Sequence, residues 1–292
     1  MNLKKYILSS LYVPSRFLNF IRSLTANRTR IRVLLFHDVP EDSYEKFNKI
    51  ILFLQKDWKF ITAEDFTNHL NGNKELIGDN LLLSFDDGFY SNRLVAEEIL
   101  DPKGIKAIFF VVTDFVDIEN QQGQTKFIEE NLYPKWRNHA LPENYEAMKS
   151  LSVEDLKYLI DKGHTIGCHT ASHQDLSKIE NLEQLNHEII ASADFLEKEL
   201  ETPIEHFSFG FGNVSFFSKL ALSVAMKRFP YIYTGMRGDN AVSDNYWAIR
   251  RDTISLDDSL MVAGSFLEGI ADFRYKDDFK KYESWIYESD AN

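Results

Sequence analysis

The sequence contains almost no cysteine, no long hydrophobic run and a deficit of positive charge. One cysteine among 292 residues excludes an intrachain disulfide framework and is typical of a reducing compartment. No apolar run approaches about 18 residues, so no transmembrane helix is predicted. The 33 basic residues are outnumbered by 45 acidic ones, for a net charge of −12. This balance argues against nucleic acid as a partner.

Hydrophobic residues make up 44% of the chain and aromatic residues 14%, which is ample for the core of one barrel-sized domain. Short apolar runs alternate with segments of helical character, and this alternation predicts an α/β fold with a parallel sheet. The predicted strands cover residues 31–36, 81–85, 106–112, 164–168, 206–209, 231–235 and 246–249.

Two stretches that follow predicted strands carry the residues with the clearest chemistry. Asp86 and Asp87 end the run Leu-Leu-Ser-Phe-Asp-Asp-Gly, and His169 and His173 lie four residues apart. In a helical turn these two histidines would share one face. One Asp and two His form a three-ligand set that leaves one position open, as in catalytic zinc sites. We therefore predict that Asp87, His169 and His173 bind a divalent metal ion, with zinc expected. Asp86 is then available as a base.

The alternative interpretation is a surface turn of two aspartates and a solvated pair of histidines on a helix. Either motif alone is weak, because such pairs arise by chance. Their combination, each after an apolar strand, favours a site, since the carboxyl ends of parallel strands are where catalytic groups gather in barrels.

The same stretches resemble the polysaccharide deacetylase (NodB-homology) family. Residues 85–88, Phe-Asp-Asp-Gly, are similar to the family's first motif, and residues 163–176 are similar to its second. The resemblance extends from about Arg32 to Arg251. It implies a distorted (β/α) barrel with parallel strands, incomplete at the C-terminal end. It also implies removal of acetyl groups from N-acetylated sugars with the help of a divalent metal ion.

The later motifs of that family are altered in this chain. Where relatives usually have Pro-Tyr-Gly, this sequence has Gly210, Phe211 and Gly212. The resemblance implies that Phe211 and Gly212 form the oxyanion site, with the Phe211 backbone N–H as donor. A backbone donor does not depend on the identity of the side chain. The family's general-acid histidine has no counterpart, because no histidine follows His206.

Two more residues complete the predicted site. His37 ends the first predicted strand in Leu-Phe-His-Asp-Val, which resembles a Tyr-His segment in some members of the family. It is the best histidine left to protonate the leaving amine, with His139 as the alternative. Arg251 lies in a segment that resembles the family's fourth motif. Arg251, or its neighbour Arg250, is predicted to hold Asp86 by a charge-assisted hydrogen bond.

Residues 114–150 do not fit the alternation of strands and helices. They form a long insertion that is rich in aromatic side chains: Phe115, Phe127, Tyr133, Trp136 and Tyr145. Long loops at the carboxyl face of a barrel are often lids or substrate walls, and aromatic faces suit the apolar faces of sugar rings. The alternative is a helical cap with a small core of its own.

The first 30 residues carry six basic residues and no acidic ones, so the net charge of −12 becomes −18 once they are set aside. We predict two parts: a basic amphipathic N-terminal extension, residues 1–30, and a polysaccharide deacetylase-like barrel domain, residues 31–292. Pro14 and Arg16 interrupt the apolar run, which argues against a secretory signal. Such an extension is expected to lie on an anionic membrane surface. The alternative is a helix packed on the barrel with solvated arginines.

These features predict a metal-dependent deacetylase acting on an N-acetylated sugar, in a cell-surface glycan or its lipid-linked precursor. The expected location is cytoplasmic, peripheral on the inner face of the membrane. Two other functions are compatible with the altered motifs. One is a catalytically inactive, metal-containing, glycan-binding homologue. The other is a hydrolase of a non-sugar amide.

Overall fold

The short apolar segments form the strands of one sheet in a computed structural model that describes residues 3–25, 29–135, 140–241 and 246–290. The strands pair in parallel wherever they are neighbours. They are β1 (Thr29–Phe36), β2 (Lys59–Phe60), β3 (Gly78–Phe85), β4 (Ala107–Val111), β5 (Thr165–Cys168), β6 (His206–Ser208), β7 (Tyr231–Tyr233) and β8 (Asp252–Thr253).

The sheet is an incomplete (β/α) barrel, which confirms the predicted fold class. Its strand order is β7-β6-β5-β4-β3-β1-β8, and β2 pairs with the first part of β3. A single bridge, between Tyr233 and Ile249, spans the gap from β7 toward β8. The predicted strand at 246–249 is therefore wrong. Ile249 bonds to β7 while Asp252 pairs with β1, so this segment crosses between two strands instead of extending one ladder.

Helices surround the sheet and connect its strands. The described helices are α1 (Leu3–Thr25), α2 (Tyr44–Leu54), α3 (Ala63–Leu70), α4 (Tyr90–Val95), α5 (Gln121–Phe127), α6 (Val153–Asp161), α7 (Leu182–Asn186), α8 (Ser192–Leu200), α9 (Lys219–Arg228), α10 (Leu260–Leu267) and α11 (Lys276–Asp290). A π turn extends α5 through Ile128–Leu132. Ser152 caps the start of α6 in a reciprocal arrangement with Asp155.

The alternation of side-chain direction along β3 places Asp86, the residue that follows it, inside the barrel. Leu81, Leu83 and Phe85 belong to the core cluster on the helix side, whereas Leu82 belongs to the interior cluster. The Phe85 ring stacks on that of Phe109, with centroids 5.1 Å apart. Because successive side chains of a strand point to opposite faces, Asp86 is directed into the interior. Burial of each such ring stabilises the fold by roughly 1.5–3 kcal/mol.

The insertion has a hydrophobic cluster of its own, as one of the two predicted alternatives requires. Its fully buried members include Phe89 and Val112 from the barrel and Phe115 and Ile128 from the insertion. The Phe115 and Phe127 rings stack with centroids 5.2 Å apart. The insertion is therefore a folded cap on the carboxyl end of the sheet.

Helix α1 packs against α10 and α2, and Arg16 on this helix is paired with carboxylates. The Arg16 guanidinium contacts Asp57, Asp79 and Glu268. The expectation of solvated arginines is thus wrong for Arg16, because three carboxylates at the amino end of the sheet reach it. The predicted division at residue 30 falls within β1. No helix among the described residues is long and apolar enough to cross a membrane.

A cluster of buried arginines lies at the same end of the sheet. Arg30 contacts Asp79 and Glu268, and Arg32 contacts three further carboxylates. We call this the amino-end cluster; its members are Arg16, Arg30, Arg32, Asp57, Asp79, Asp239, Asp252, Glu268 and Asp272.

Candidate active site

Three strands of the sheet, β1, β3 and β5, deliver the predicted site residues to one edge. β1 ends at Phe36, β3 at Phe85 and β5 at Cys168, so His37, Asp86 and His169 each follow a strand directly. The ladder continues briefly past the strand ends, because the Asp86 N–H donates to the Phe36 carbonyl at 3.0 Å. This is the carboxyl edge, where catalytic groups of barrels are found.

Asp87, His169 and His173 converge, and all three are buried. Their ligand atoms lie within 4.8 Å of one another. Asp87 Oδ1 is 3.7 Å from His169 Nε2 and 3.6 Å from His173 Nε2. A tetrahedral ion with bonds of about 2.1 Å holds its ligands roughly 3.4 Å apart. The spacing of this set therefore fits a small divalent cation, and it exceeds hydrogen-bond distance.

The two imidazoles are oriented as metal ligands by main-chain carbonyls. His169 Nδ1 donates to the Ser208 carbonyl at 2.8 Å, and His173 Nδ1 donates to the Asn131 carbonyl at 3.1 Å. Since a carbonyl only accepts, the proton of each neutral ring resides on Nδ1 and the Nε2 lone pair faces Asp87. Burial lowers the pKa of His173 to about 3 and also lowers that of His169. Both rings are thus neutral at ordinary pH, which is the form that binds metals.

The histidine pair lies in a loop, so the prediction that it shares a helical face is wrong. Thr170 and His173 both adopt left-handed backbone conformations, with φ of 70° and 59°. The His173 N–H donates to Thr170 Oγ1 at 3.0 Å. These two left-handed residues turn the backbone so that the His169 and His173 rings meet, with centroids 5.1 Å apart, in a loop instead of a helix.

Backbone strain concentrates around this site. A positive φ is uncommon for residues with a side chain and is usually retained where function requires it. Six described residues other than glycine have one, and four of them are at or beside the candidate site: Asp87, Thr170, His173 and Phe211.

Asp86 is held by Arg251 through two parallel hydrogen bonds. The guanidinium donates at 2.6 and 2.9 Å to the two carboxylate oxygens, and it also donates to Ser208 Oγ at 2.5 Å. Burial opposes ionisation of Asp86, but the Arg251 guanidinium outweighs it and lowers the pKa of that carboxyl. The contact expected from the sequence is present. Arg250, the other candidate, instead stacks on Phe279, 3.5 Å from the ring centroid.

His37 lines the same cavity of about 670 Å³ as the candidate ligands and Asp86. It is partly exposed, and its positive form helps to lower the pKa of Asp86. The structure therefore brings His37, Asp86, Arg251 and the three candidate ligands together. The role of His37 as an acid stays a prediction.

Phe211 and Gly212 border this cavity, but Gly212 has a structural task. The Gly212 N–H donates to the Phe209 carbonyl at 3.3 Å, and its carbonyl accepts from Gly235 at 2.7 Å. A Cβ on Gly212 would lie 2.9 Å from the Gly235 backbone. Gly212 therefore permits close contact of two loops, and its own N–H is engaged in a turn. The Phe211 ring packs edge-on against His173 with centroids 4.3 Å apart.

Gly210 occupies the position of the expected proline, directly against a candidate ligand. A Cβ at residue 210 would lie 3.1 Å from Cδ2 and 3.3 Å from Nε2 of His173. The absence of a side chain thus leaves room for the His173 ring. The replacement of the expected proline by Gly210 is therefore explained locally, by the space that the His173 ring needs.

The insertion also forms a wall of the cavity, so both predicted alternatives describe part of it. Its cavity-facing residues are Leu132, Tyr133, Pro142, Asn144 and Met148. Burial raises the pKa of Tyr133, and the nearby Asp87 adds to this. Trp136 and His139, two residues of the predicted lid, lie outside the described residues.

The sequence did not reveal three residues at the site. Ser208 and Asn131 orient the two histidines through their carbonyls, which no side-chain pattern reports, and Ser208 Oγ also accepts from Arg251. Asp38 was visible next to His37, yet it was not assigned. Its carboxylate borders the cavity, accepts from Ser91 Oγ at 2.6 Å and has a pKa raised by burial.

Comparison with known proteins agrees with this geometry. Residues 73–227, more than half of the chain, match the family model described as polysaccharide deacetylase. Comparison with curated protein sequences gives no significant match.

Several solved structures share the fold at low sequence identity. The deacetylase PplD of Streptococcus pyogenes, in complex with acetate, is 18% identical, with 82% of this chain and 98% of that chain covered and a TM-score of 0.62. IcaB of Ammonifex degensii is 18% identical, with 82% and 97% covered and a TM-score of 0.63. A de-N-acetylase of Aggregatibacter actinomycetemcomitans is 15% identical, with 81% and 99% covered and a TM-score of 0.62.

Proposed function

The chain belongs to the polysaccharide deacetylase family, and from this we propose that it is a metal-dependent carbohydrate N-deacetylase. Its proposed substrate is the acetamide of an N-acetylated sugar, in a cell-surface glycan or its lipid-linked precursor. One observation carries the proposal. A buried set of one carboxylate and two imidazoles adjoins an ionised carboxylate, Asp86, in a single cavity.

Asp87, His169 and His173 would hold the divalent ion. Their fit rests on the donor set: two neutral imidazoles, fixed by carbonyls at Nδ1, present Nε2 to a carboxylate oxygen at 3.6–3.7 Å. When bound, the ion would lower the pKa of a water molecule toward about 7 and polarise the acetamide carbonyl.

Asp86 takes the proton from the attacking water. Arg251 keeps this buried carboxyl ionised, and each carboxylate oxygen has a second lone pair beyond the one that Arg251 occupies. A positioned base of this kind contributes roughly 10²–10⁴ in rate. Arg251 also fixes the direction of the carboxylate, because its own Nε is anchored by the Thr234 carbonyl at 3.1 Å.

His37 gives a proton to the amine that leaves, and the Phe211 backbone N–H stabilises the oxyanion. An amine is too basic to depart as an anion, so the reaction needs an acid on the face where the substrate enters. His37 is partly exposed and borders the cavity that holds Asp86. Phe211 borders the same cavity, and its ring is packed against His173.

A binding module without turnover is disfavoured by Asp86. Keeping an ionised carboxylate inside the domain requires Arg251, which is itself fully buried. A base beside the candidate metal ligands serves to activate water, whereas glycan binding alone requires none.

The test is acetate release from N-acetylated glucosamine oligomers by protein loaded with zinc, with and without a chelator. We expect one bound ion per chain and acetate release that the chelator abolishes. Metal and glycan binding without acetate release would identify an inactive homologue. Acetate release from small amides but not from glycans would identify a different hydrolase.

We propose that the protein works in the cytoplasm, peripherally attached to the inner face of the membrane. The support is compositional: the first 30 residues hold six basic and no acidic residues in a chain of net charge −12. Fractionation of cells that express a tagged chain would test this, and we expect the protein in the membrane pellet until high salt releases it.

A further inference from the structure

Helix α1 turns a broad apolar surface away from the domain. Seven large apolar side chains on it are 40–63% exposed: Ile7, Leu11, Val13, Phe17, Leu18, Phe20 and Ile21. At 100° per residue they cover about half of the helix circumference. We call them the α1 outer face. Soluble monomers rarely expose contiguous apolar patches of this kind without a function.

The opposite face of α1 is fastened to the domain. Tyr12 is buried and packs on Phe53, with ring centroids 5.6 Å apart. Asn19 donates to Glu268 at 2.5 Å, and Arg16 donates to the same carboxylate at 3.2 Å. The outer face is thus held in place by the fold and points outward without needing a partner to order it.

The two helices fit closely where they cross. A Cβ on Gly264 of α10 would lie 2.4 Å from the Tyr12 ring. Ser265 of the same helix donates to the Leu8 carbonyl at 2.6 Å. Because α1 is seated on α10 in this way, its orientation relative to the sheet is fixed.

We infer that the α1 outer face inserts into the interfacial layer of an anionic lipid bilayer. This deepens the proposed peripheral location. The sequence places Lys4 and Lys5 near the beginning of α1 and Arg22 near its end, with no acidic residue among the first 30. An apolar face flanked by basic residues is the pattern of helices that lie in a bilayer surface.

A second copy of the chain fits the α1 outer face less well than an anionic bilayer does. An isologous contact places the same surface against itself. Two antiparallel α1 helices would then bring Lys4 and Lys5 toward Arg22 of the other copy, with no acidic residue of α1 to offset them. An anionic bilayer attracts the same residues.

The contact that anchors Arg16 and the candidate site lie at opposite ends of β3. Arg16 is anchored at Asp79, the second residue of β3, whereas Asp86 follows the last residue of that strand. At about 3.3 Å per residue these two positions are about 23 Å apart. With α1 on the bilayer, we therefore expect the site to lie off the membrane surface and to receive the glycan from the aqueous side.

The test is sedimentation of the full chain with phosphatidylcholine vesicles, prepared with or without phosphatidylglycerol. We expect binding to the anionic vesicles at low salt and much less binding to the neutral ones. Leu18→Glu should weaken binding at least tenfold. Leu182→Glu is the matched control, since Leu182 is 53% exposed and Leu18 is 56% exposed. It should bind as the parent does.

Each outcome decides the matter without reference to deacetylase activity. Equal thermal melting of the variants shows that they fold. No binding of the parent, or equal binding of Leu18→Glu, would overturn the inference. A parent dimer in sedimentation velocity that Leu18→Glu abolishes, without vesicle binding, would assign the face to a second copy.

Orientation has its own readout. Cys168 is fully buried, so a single introduced cysteine can be labelled selectively. A polarity-sensitive dye on Phe20→Cys should brighten when anionic vesicles are added. The same dye on Ser255→Cys, at the cavity, should not respond. A response at both positions would contradict the orientation.

Discussion

The two ends of the sheet both bury arginines with carboxylates, but they use the contacts differently. In the amino-end cluster, Arg32 reaches Asp239, Asp252 and Asp272 at 2.6–3.1 Å. Direct contacts of this length between full charges leave no space for another ion. The cluster ties β1 to β8 and to the segment after α10, so its task is to hold the fold.

At the carboxyl edge only one of the two adjacent aspartates is held in this way. Arg251 engages Asp86 at 2.6 Å, whereas Asp87 faces two neutral imidazoles at 3.6 and 3.7 Å. The wider spacing is what a small cation requires between its ligands. The wider spacing around Asp87, rather than the number of buried charges, therefore distinguishes the candidate metal ligands from the ion pairs that hold the fold.

Removal of a candidate metal ligand should have the largest effect at the carboxyl edge. His169→Ala takes away one of three ligands, so we expect loss of stoichiometric metal and a fall in acetate release of about 10⁴-fold or more, roughly 5.5 kcal/mol. Elemental analysis and the acetate assay measure these effects. His187→Ala, on an exposed residue, is the control. Full metal content in His169→Ala would refute the ligand assignment.

Replacement of the ionised carboxylate should separate catalysis from binding at the same edge. Asp86→Asn keeps the shape and one acceptor for Arg251 but removes the base. We expect metal content to be unchanged and turnover to fall about 10³-fold, or roughly 4 kcal/mol. Metal-loaded Asp86→Asn that releases acetate at the parental rate would exclude Asp86 as the base.

A substitution in the amino-end cluster should have the opposite effect, lowering stability and leaving catalysis intact. Arg32→Met leaves Asp252, a fully buried carboxylate, with Arg237 as its remaining arginine. We expect a loss of about 3 kcal/mol in the free energy of unfolding, with normal acetate release per folded molecule. Denaturant titration measures it, and Lys46→Met, in an exposed ion pair, should change stability by less than about 0.5 kcal/mol. Reduced activity at parental stability would show that the amino end is not merely structural.

The smallest expected effect concerns the proton for the leaving amine. His37→Ala should lower turnover about 10²-fold, close to 2.7 kcal/mol, and leave metal affinity unchanged, because His37 borders the cavity without belonging to the ligand set. Initial rates and metal titration provide the two readouts. Parental turnover would shift the role to another group, such as Asp38.

Much of this architecture could be read from the sequence because buried parallel strands are apolar runs and catalytic side chains follow them. That rule located Asp86, Asp87 and His169 at one edge before any coordinates. It failed where conformation depends on context. A spacing of four fits a helix, yet His169 and His173 converge because Thr170 and His173 adopt left-handed backbone conformations. Strand β2 was not predicted, since a two-residue strand gives almost no periodic signal.

The hydrogen bonds that orient the histidines were hidden for another reason. They come from carbonyls at Ser208 and Asn131, and a carbonyl is common to every residue. The wall formed by Tyr133 was likewise expected only as part of an aromatic insertion, because its position depends on how that insertion folds.

The use of main-chain acceptors has a consequence for how such a site can change over time. Exchange of the side chain at Asn131 would remove the hydrogen bond from its Nδ2 to the Ser172 carbonyl at 2.8 Å, but it would leave the main-chain acceptor of His173 in place. Insertion or deletion of one residue would shift it. The acceptor lies in the π turn Ile128–Leu132, closed by the Tyr133 N–H donating to the Ile128 carbonyl at 2.8 Å, which holds one residue more than an α-helical turn. Among proteins that evolve from this one, we expect the length of this turn to be conserved more strictly than the identities of its residues.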